Sequence, residues 1–415
     1  MARALGPCKW DKGQVNDTAT ADRTPDVSVI MPCLNEIQSL PHCITNAQAA
    51  LALLRERYGL TGEIVIADNG STDGSQAYAT GQGARVVAVP RRGYGAALIG
   101  GCEGAHGRYL LMGDADGSYD FTDGVAMIGR LIDGADLCMG SRFAGGIADG
   151  AMPWKNRYIG NPILTGILNL FYRSGIEDAH CGIRAITKAA FLECGLTSTG
   201  MEFASEMVIK ASLRKLRIDE VPATLSPDLR DRAPHLRPWR DGWRHLRYLL
   251  MLSPTWVFGL PALLALVAGL IVLGAATAEY FRPGMAPQIG AYWTLLGSTL
   301  VAGGQMALLL ALCGHVYAIR AGYRLPTRRE ALITRLASLE TMLAIAGGLL
   351  VVGVAILVLV VVHWIGHNFA QAGSLVPAAL GTLAIQLGMQ TGLGGFLMAM
   401  IAGYESRFLP DSPSA

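Results

Sequence analysis

Asp68-Asn69-Gly70-Ser71-Thr72-Asp73-Gly74-Ser75 follows the branched apolar run Glu63–Ala67, and Asp114-Ala115-Asp116 follows Arg108–Gly113. Reading outward, Val27–Met31 runs into Pro32-Cys33-Leu34-Asn35-Glu36, and Arg85–Val89 and Ala135–Gly140 are two further runs of strand type. Segments with helical spacing, such as Ser39–Arg57 and Thr122–Ile132, lie between them. Strand and helix alternating in this way predict an α/β domain with a mostly parallel, doubly wound sheet, whose ligands sit at the carboxyl ends of the strands. The acidic and small residues stand at three of those ends.

A carboxylate at a strand end can accept hydrogen bonds from a base edge or a ribose hydroxyl, and small neighbours let a nucleotide approach the backbone. Two aspartates flanking one residue, Asp114 and Asp116, can reach a hard divalent cation, which needs oxygen ligands and shares its shell with water and phosphates. Each motif also has a plainer reading. Asp-Gly-Ser after a strand is often a turn. Asp114–Asp120 places Gly117 fourth where a calcium loop needs glycine sixth, and Gly93-Tyr94-Gly95 has Leu98 where a dinucleotide fingerprint needs its third glycine.

The C-terminal part of the chain is different material. The whole is 51% hydrophobic with 16% charged residues and a mean hydropathy of +0.35, too apolar for an ordinary soluble protein of 415 residues. Thr255–Ala278, Ile289–Ala318, Thr341–Gly366 and Ser374–Gly403 contain no Asp, Glu, Lys or Arg, and each exceeds the roughly 20 residues needed to cross a bilayer. Four spans are expected. The loop between the second and third carries Arg320, Arg324, Arg328, Arg329 and Arg335, whereas Arg282 is the sole Lys or Arg of the other two loops. The Arg-rich loop, both termini and the α/β domain are therefore expected on the cytoplasmic face of the cell (inner) membrane. No apolar segment opens the chain, so a cleaved signal peptide is not expected. Eight scattered cysteines without a CxxC pair suit reduced thiols.

Two segments are amphipathic without spanning. In Asn161–Arg173, Asn161 is placed to cap and Pro162 to start a helix, with Ile163, Ile167 and Leu170 on one face and Asn161, Thr165 and Asn169 on another. In Pro238–Leu250, Trp239, Trp243, Leu246 and Leu250 form a stripe opposite Arg240, Arg244 and Arg247, as in a helix lying on anionic head groups. Packing of either helix against the α/β domain is the alternative. Gly303-Gly304-Gln305 and Gly388-Met389-Gln390 fall at similar depths, so spans one–two and three–four read as copies of one hairpin, with these residues as helix–helix glue.

The three strand ends, together with Gly140-Ser141-Arg142-Phe143, Asp178, Cys181-Gly182-Ile183-Arg184, Met201-Glu202-Phe203, Glu206 and the basic Arg230–Arg247 segment, resemble glycosyltransferase family 2. The likeness is to its polyprenyl-phosphate branch, which holds the dolichol-phosphate mannose synthases and GtrB-type glucosyltransferases. It covers residues 27–250 and implies a Rossmann-like GT-A catalytic domain ahead of an all-α domain of four transmembrane helices. The expected boundaries are a polar tail at 1–25, the GT-A domain at 26–236, an interfacial helix at 237–253, the spans at 254–405 and a tail at 406–415. The resemblance implies that Pro32, Leu34, Glu36, Asp68 and Asn69 hold base and ribose. Asp114 and Asp116, with Ala115 between, would hold Mg²⁺ or Mn²⁺ on the diphosphate of a UDP- or GDP-hexose. Ser141 and Arg142, with Arg184, would meet the lipid phosphate, Glu202 would line the substrate site, and Arg232, His235 and Arg237 would close over the donor phosphates.

Three positions depart from the family pattern: Asn69 for a second aspartate, Ser118 for a third metal-binding glutamine, and Arg232-Ala233-Pro234-His235-Leu236-Arg237 for Arg-x-Gly-x-Ser-Lys. Nucleotide and metal geometry therefore stay open. A lipid phosphate is already anionic, so its attack on the anomeric carbon needs positioning and charge neutralisation more than a strong base. Asp116 and Arg142 are the expected catalytic pair, the outcome inversion, and a homo-oligomer is allowed for. A processive polysaccharide synthase is the rival enzyme, but no Gln-x-x-Arg-Trp occurs. A lipid carrier or flippase would need intramembrane charge that the spans lack. Nucleic acid is a poorer partner than lipid for an Arg-rich segment abutting a span.

Overall fold

The computed structural model describes residues 24–230, 238–284, 290–321, 338–369 and 374–403. Strands β1 (Val27–Cys33), β2 (Gly62–Asp68), β3 (Arg85–Ala88), β4 (Tyr109–Met112), β5 (Leu137–Ser141), β6 (Arg184–Thr187) and β7 (Ile218–Pro222) form one sheet in the order 3-2-1-4-6-5-7. β1 to β4 are mutually parallel, β6 runs against both β4 and β5, and β7 is parallel to β5. The five strands expected from the sequence are present, and β1 runs two residues further, taking in Pro32 and Cys33. β6 and β7 carry Arg184 and the pair Asp219 and Glu220, which break the apolar pattern that would have marked them. The order places the topological switch between β1 and β4, above which a ligand of such a sheet binds.

Helices α1 (Leu40–Tyr58), α2 (Ser75–Gly81), α3 (Tyr94–Gly104), α4 (Gly124–Ile132), α5 (Arg142–Gly145), α6 (Asn161–Tyr172), α7 (Lys188–Cys194), α8 (Phe203–Leu213) and α9 (Pro238–Met251) cover the sheet and its edges. Alternation along β1 sorts the core: Val29 and Met31 pack with Ile44 of α1 and Ile128 of α4, while Ile30 packs with Leu98 of α3 and Phe203 of α8. The seven cysteines among the described residues are free and buried.

α9 is docked more firmly than its Trp and Arg stripes suggest. Leu249 is fully buried in the core layer of α3 and α8, which is worth roughly 1.5–3 kcal/mol. The Ser205 hydroxyl of α8 lies 2.7 Å from His245 Nδ1, and Tyr172 of α6 donates to the Leu249 carbonyl at 2.8 Å. A face carrying His245 and Leu249 thus grips the α/β domain, while Trp243 stays exposed. α6 corrects a second expectation. A π-helical turn, Asn156–Gly160, precedes it, so Asn161 lies inside a continuous helix and does not cap. Thr165 and Leu168 face inward, and Ile163 and Leu170 are exposed together with Tyr158 and Ile159 of the preceding turn and Trp154 just before it. Phe171 at the end of α6 stacks on Trp256, with ring centroids 5.3 Å apart.

Trp256 opens span 1 (Thr255–Phe281), followed by span 2 (Ala291–Arg320), span 3 (Leu339–Gly366) and span 4 (Val376–Ala402), each long and apolar enough to cross a membrane. The hairpin repeat is explicit in the packing. A Cβ added to Gly269 would lie 2.8 Å from Gly297 O and 2.9 Å from Val301 N; one on Gly353 would lie 2.8 Å from both Gly381 O and Ile385 N. Gly304 likewise abuts Ala262 and Leu266, and Gly388 abuts Ala346 and Leu350. Each pair recurs at a constant offset of 84 residues (Gly269 to Gly353, Gly297 to Gly381, Gly304 to Gly388). Without a hydrophobic force between helices in lipid, such backbone approach supplies the association. Gln305 joins the hairpins by donating to Thr391 Oγ1 at 2.7 Å. Gly353→Leu should therefore lower the unfolding free energy of detergent-purified protein by about 1–3 kcal/mol. Gly274→Leu, where an added side chain meets open space, should leave it unchanged, as read by thermal unfolding.

Candidate active site

The loops after β1, β2 and β4 are laced together above the switch point. Asn35, held at φ 58°, accepts from the Thr72 amide through Oδ1 at 2.8 Å, while its own amide donates to Ser71 Oγ at 2.9 Å. Asp73 accepts from the Ile37 amide, and Ser39 donates to the Ala115 carbonyl at 2.6 Å. Asp68, 2% exposed, accepts from Gly70 N at 2.9 Å and Gln76 Nε2 at 2.6 Å. Asn69 is fully used: its amide nitrogen donates to the Val89 and Arg91 carbonyls and its oxygen accepts from Gly93 N at 2.7 Å. The residue read as a departure in nucleotide binding therefore ties the β3–α3 loop.

That loop brings in Tyr94, which sequence reasoning passed over inside a failed dinucleotide fingerprint. Gly93 has φ 132°, and Cβ atoms on Gly93 and Gly95 would each stand 2.2 Å from the carbonyl oxygens of Thr199 and Ser198. The 197–198 backbone is itself held by Glu206, whose carboxylate pairs with Lys210 at 2.7 Å and accepts from the Thr197 and Ser198 amides. This close approach fixes the start of α3, where Tyr94 stands beside Asp114 and pulls its carboxyl down. Glu202, at the start of α8, keeps Oε2 buried without a partner.

Asp114 is the group under most strain. Burial, with the Asp116 charge second, pushes its carboxyl up to about 6 against the pull of Tyr94, Arg184 and Arg230, and its Oδ1 has no hydrogen-bond partner. Asp116 is differently satisfied: Oδ1 accepts from Ser118 N at 3.0 Å and Ser118 Oγ at 2.6 Å, and Oδ2 from Arg230 Nη2 at 2.8 Å. Ser118, which replaces a third ligand, thus pins Asp116. Arg230 also reaches Asp228 at 3.0 Å and Glu36 at 3.4 Å, so one guanidinium bridges the loops after β1 and β4. An orphaned carboxylate oxygen beside a carboxylate already drawing a cation fits a hard divalent ion. Among the described residues no cluster of three or more ligating side chains occurs, so diphosphate and water would complete the shell.

The resemblance-derived cations are placed otherwise than expected. Arg142 is buried, and its Nε and Nη2 grip Asp178 at 2.6 and 2.7 Å. Its Nη1 has the Tyr119 hydroxyl at 3.5 Å. Glu220 of β7 accepts from the Glu177 and Asp178 amides and so seats the partner carboxylate. Ser141, expected beside the lipid phosphate, is 1% exposed here and its hydroxyl caps α5 by accepting from the Ala144 amide. Arg184, 1% exposed, donates to the Cys181 and Ala204 carbonyls and lends its charge to Asp114. Pro32 is half-buried, Leu34 is exposed and Glu36 is buried at the rim. Arg232, His235 and Arg237 lie outside the described residues.

Two outcomes follow from this electrostatic layout. Asp178→Ala leaves the Arg142 guanidinium buried and unpaired, so it should cost about 3–5 kcal/mol, measured as loss of thermal stability, with Asp178→Asn milder. Asp114 has a folded pKa above its unfolded value, so the folded state binds its proton more tightly and stability is lost as pH rises through 6. In EDTA, Asp114→Asn should be more stable than the parent above pH 6 by on the order of 1–3 kcal/mol, and the gain should vanish towards pH 4, by denaturation at matched pH.

Comparison with known proteins fits this arrangement. Residues 28–195 match the family model Glycosyl transferase family 2, and residues 312–402 match Glycosyltransferase family 2 C-terminal transmembrane region. The chain is 34% identical over 390 residues to the low-salt glycan biosynthesis hexosyltransferase of Haloferax volcanii, across 92% of this chain and 91% of that one. It is 29% identical to the dolichyl-phosphate beta-glucosyltransferase of Saccharomyces cerevisiae, over 47% of this chain and 65% of that one. It is 28% identical to the polyprenol monophosphomannose synthase of Mycolicibacterium smegmatis, over 53% and 84% respectively.

Proposed function

Because the chain belongs to glycosyltransferase family 2, with a GT-A sheet and that family's transmembrane region, we propose that it is a polyprenyl-phosphate glycosyltransferase. It moves a hexose from a nucleotide-diphosphate sugar, UDP-glucose or GDP-mannose, to a membrane polyprenyl phosphate with inversion. The observation that carries this reading is the junction of the strand-end site with the first span: α6 and α9 are packed on α8 and on each other, and Phe171 of α6 stacks on Trp256. A water-soluble donor above β1 and β4 and a phosphate carried by lipid can meet there. Two of the relatives are named for dolichyl or polyprenol phosphate chemistry.

In this reading Pro32, Leu34, Glu36 and Asp68 hold base and ribose, while Asp114 and Asp116 hold Mg²⁺ or Mn²⁺. The bound ion supplies charge neutralisation of the departing diphosphate. Arg142 Nη1, which is not taken by Asp178 and has only the long 3.5 Å contact to the Tyr119 hydroxyl, orients the acceptor phosphate; the lipid phosphate supplies its own nucleophilic oxygen and no proton need be removed. The exposed Trp154, Tyr158 and Ile163, interleaved with Lys155 and Arg157, rest on the head groups. The site and both termini face the cytoplasm of the cell membrane by the placement of the arginines.

Incubating the purified chain with polyprenyl phosphate and a panel of UDP- and GDP-sugars should yield an organic-extractable polyprenyl-phosphate hexose by mass spectrometry. Asp116→Asn should lower its formation at least about 100-fold, and EDTA should abolish it until Mn²⁺ is restored. Insoluble polymer, or a product that is indifferent to chelation, would defeat the reading.

A further inference from the structure

Arg230 is buried to 13% side-chain exposure against three carboxylates drawn from three places in the chain, Glu36, Asp116 and Asp228. Its position is built. Ser226 N donates to Ser118 O and Leu229 N to Asp116 O, each at 2.9 Å, and the Leu229 side chain covers Gly117, where a Cβ would meet it at 2.6 Å. The residues just before Arg230 are therefore strapped onto the very loop that carries Asp116. With Oδ1 of Asp116 taken by Ser118, Oδ2 is the oxygen left for a cation, and the guanidinium stands on it at 2.8 Å. Three carboxylates beside the buried Asp114 would repel one another without that charge.

Building on the metal reading above, we propose that Arg230 is the resident counter-ion of the Asp114–Asp116 centre, a positioning residue that competes with the divalent ion for Asp116. In the donor-free protein its guanidinium neutralises Asp116 and keeps the loops after β1 and β4 assembled. When the donor diphosphate brings a divalent ion, Asp116 would be released to hold it while Arg230 keeps Asp228 and Glu36. Metal alone is then held weakly, because it must displace an ion pair that is largely out of water. Metal accompanied by diphosphate is held well, because the phosphate oxygens supply the rest of its shell. The site thereby favours loading by the complete donor complex over stray cation.

The test is Mn²⁺ affinity by electron paramagnetic resonance of the full chain, purified in detergent and stripped with EDTA, with no nucleotide present. Arg230→Gln and Arg230→Met should each bind Mn²⁺ at least about five-fold more tightly than the parent, the lower end of coupling between competing ligands. Arg230→Lys, which keeps the charge, should stay near the parent. A merely structural role would loosen the site and weaken Mn²⁺ binding in all three variants. Equal or weaker binding by Arg230→Gln and Arg230→Met, with Asp116→Asn losing Mn²⁺, overturns the counter-ion role and leaves the metal site standing. Unchanged Mn²⁺ binding in Asp116→Asn removes the metal site and this inference with it.

Discussion

Gathering several carboxylates at the carboxyl ends of neighbouring strands is electrostatically unfavourable, and the architecture around the site answers that one constraint. Each acid is given a different solution. Asp68 is met by the Gly70 amide and the Gln76 side chain, and Asp73 by Ser75 and the Ile37 amide. Asp116 and Glu36 share Arg230, and Asp178 is closed by Arg142. Asp114, among these strand-end acids, keeps a buried oxygen without a partner, and burial together with the Asp116 charge displaces its carboxyl upward. Such an imbalance among otherwise satisfied neighbours is what a cation-binding centre requires before its ion arrives.

Rigidity behind the candidate site comes from buried layers beneath the strand ends. The buried Glu206–Lys210 pair fixes the 197–198 backbone, and the adjoining Ser198 and Thr199 carbonyls crowd Gly93 and Gly95 on either side of Tyr94, the neighbour of Asp114. Glu220 similarly seats the turn that presents Asp178 to Arg142. Buried ion pairs add little net stability; here they hold neighbouring backbone in one arrangement.

The membrane half uses the opposite economy, with glycine replacing charge. Two hairpins repeat the same backbone-to-backbone contact, and Gln305 and Arg320 of span 2 bond across to span 4. α6 and α9 are packed at the head of span 1, and the exposed Trp154, Tyr158, Ile163 and Trp243 lie on these segments adjoining it.

Composition and period along the chain were sufficient for the division into an α/β body and four spans, for five strands, and for the acidic strand ends, because each of these depends on residues close together in sequence. The short strands β6 and β7 were hidden by the charges they carry, and the inner face of α9 was masked by its more conspicuous Trp and Arg stripes. Tertiary structure alone decided which cation meets which acid. Arg230 and Asp116 are 114 positions apart and Arg142 and Asp178 are 36 apart. No local pattern encodes such pairings, since they arise only when the sheet order brings distant loops to one edge. For the same reason Ser141 and Arg184, legible as family positions, are turned inward by the packing of β5 and β6.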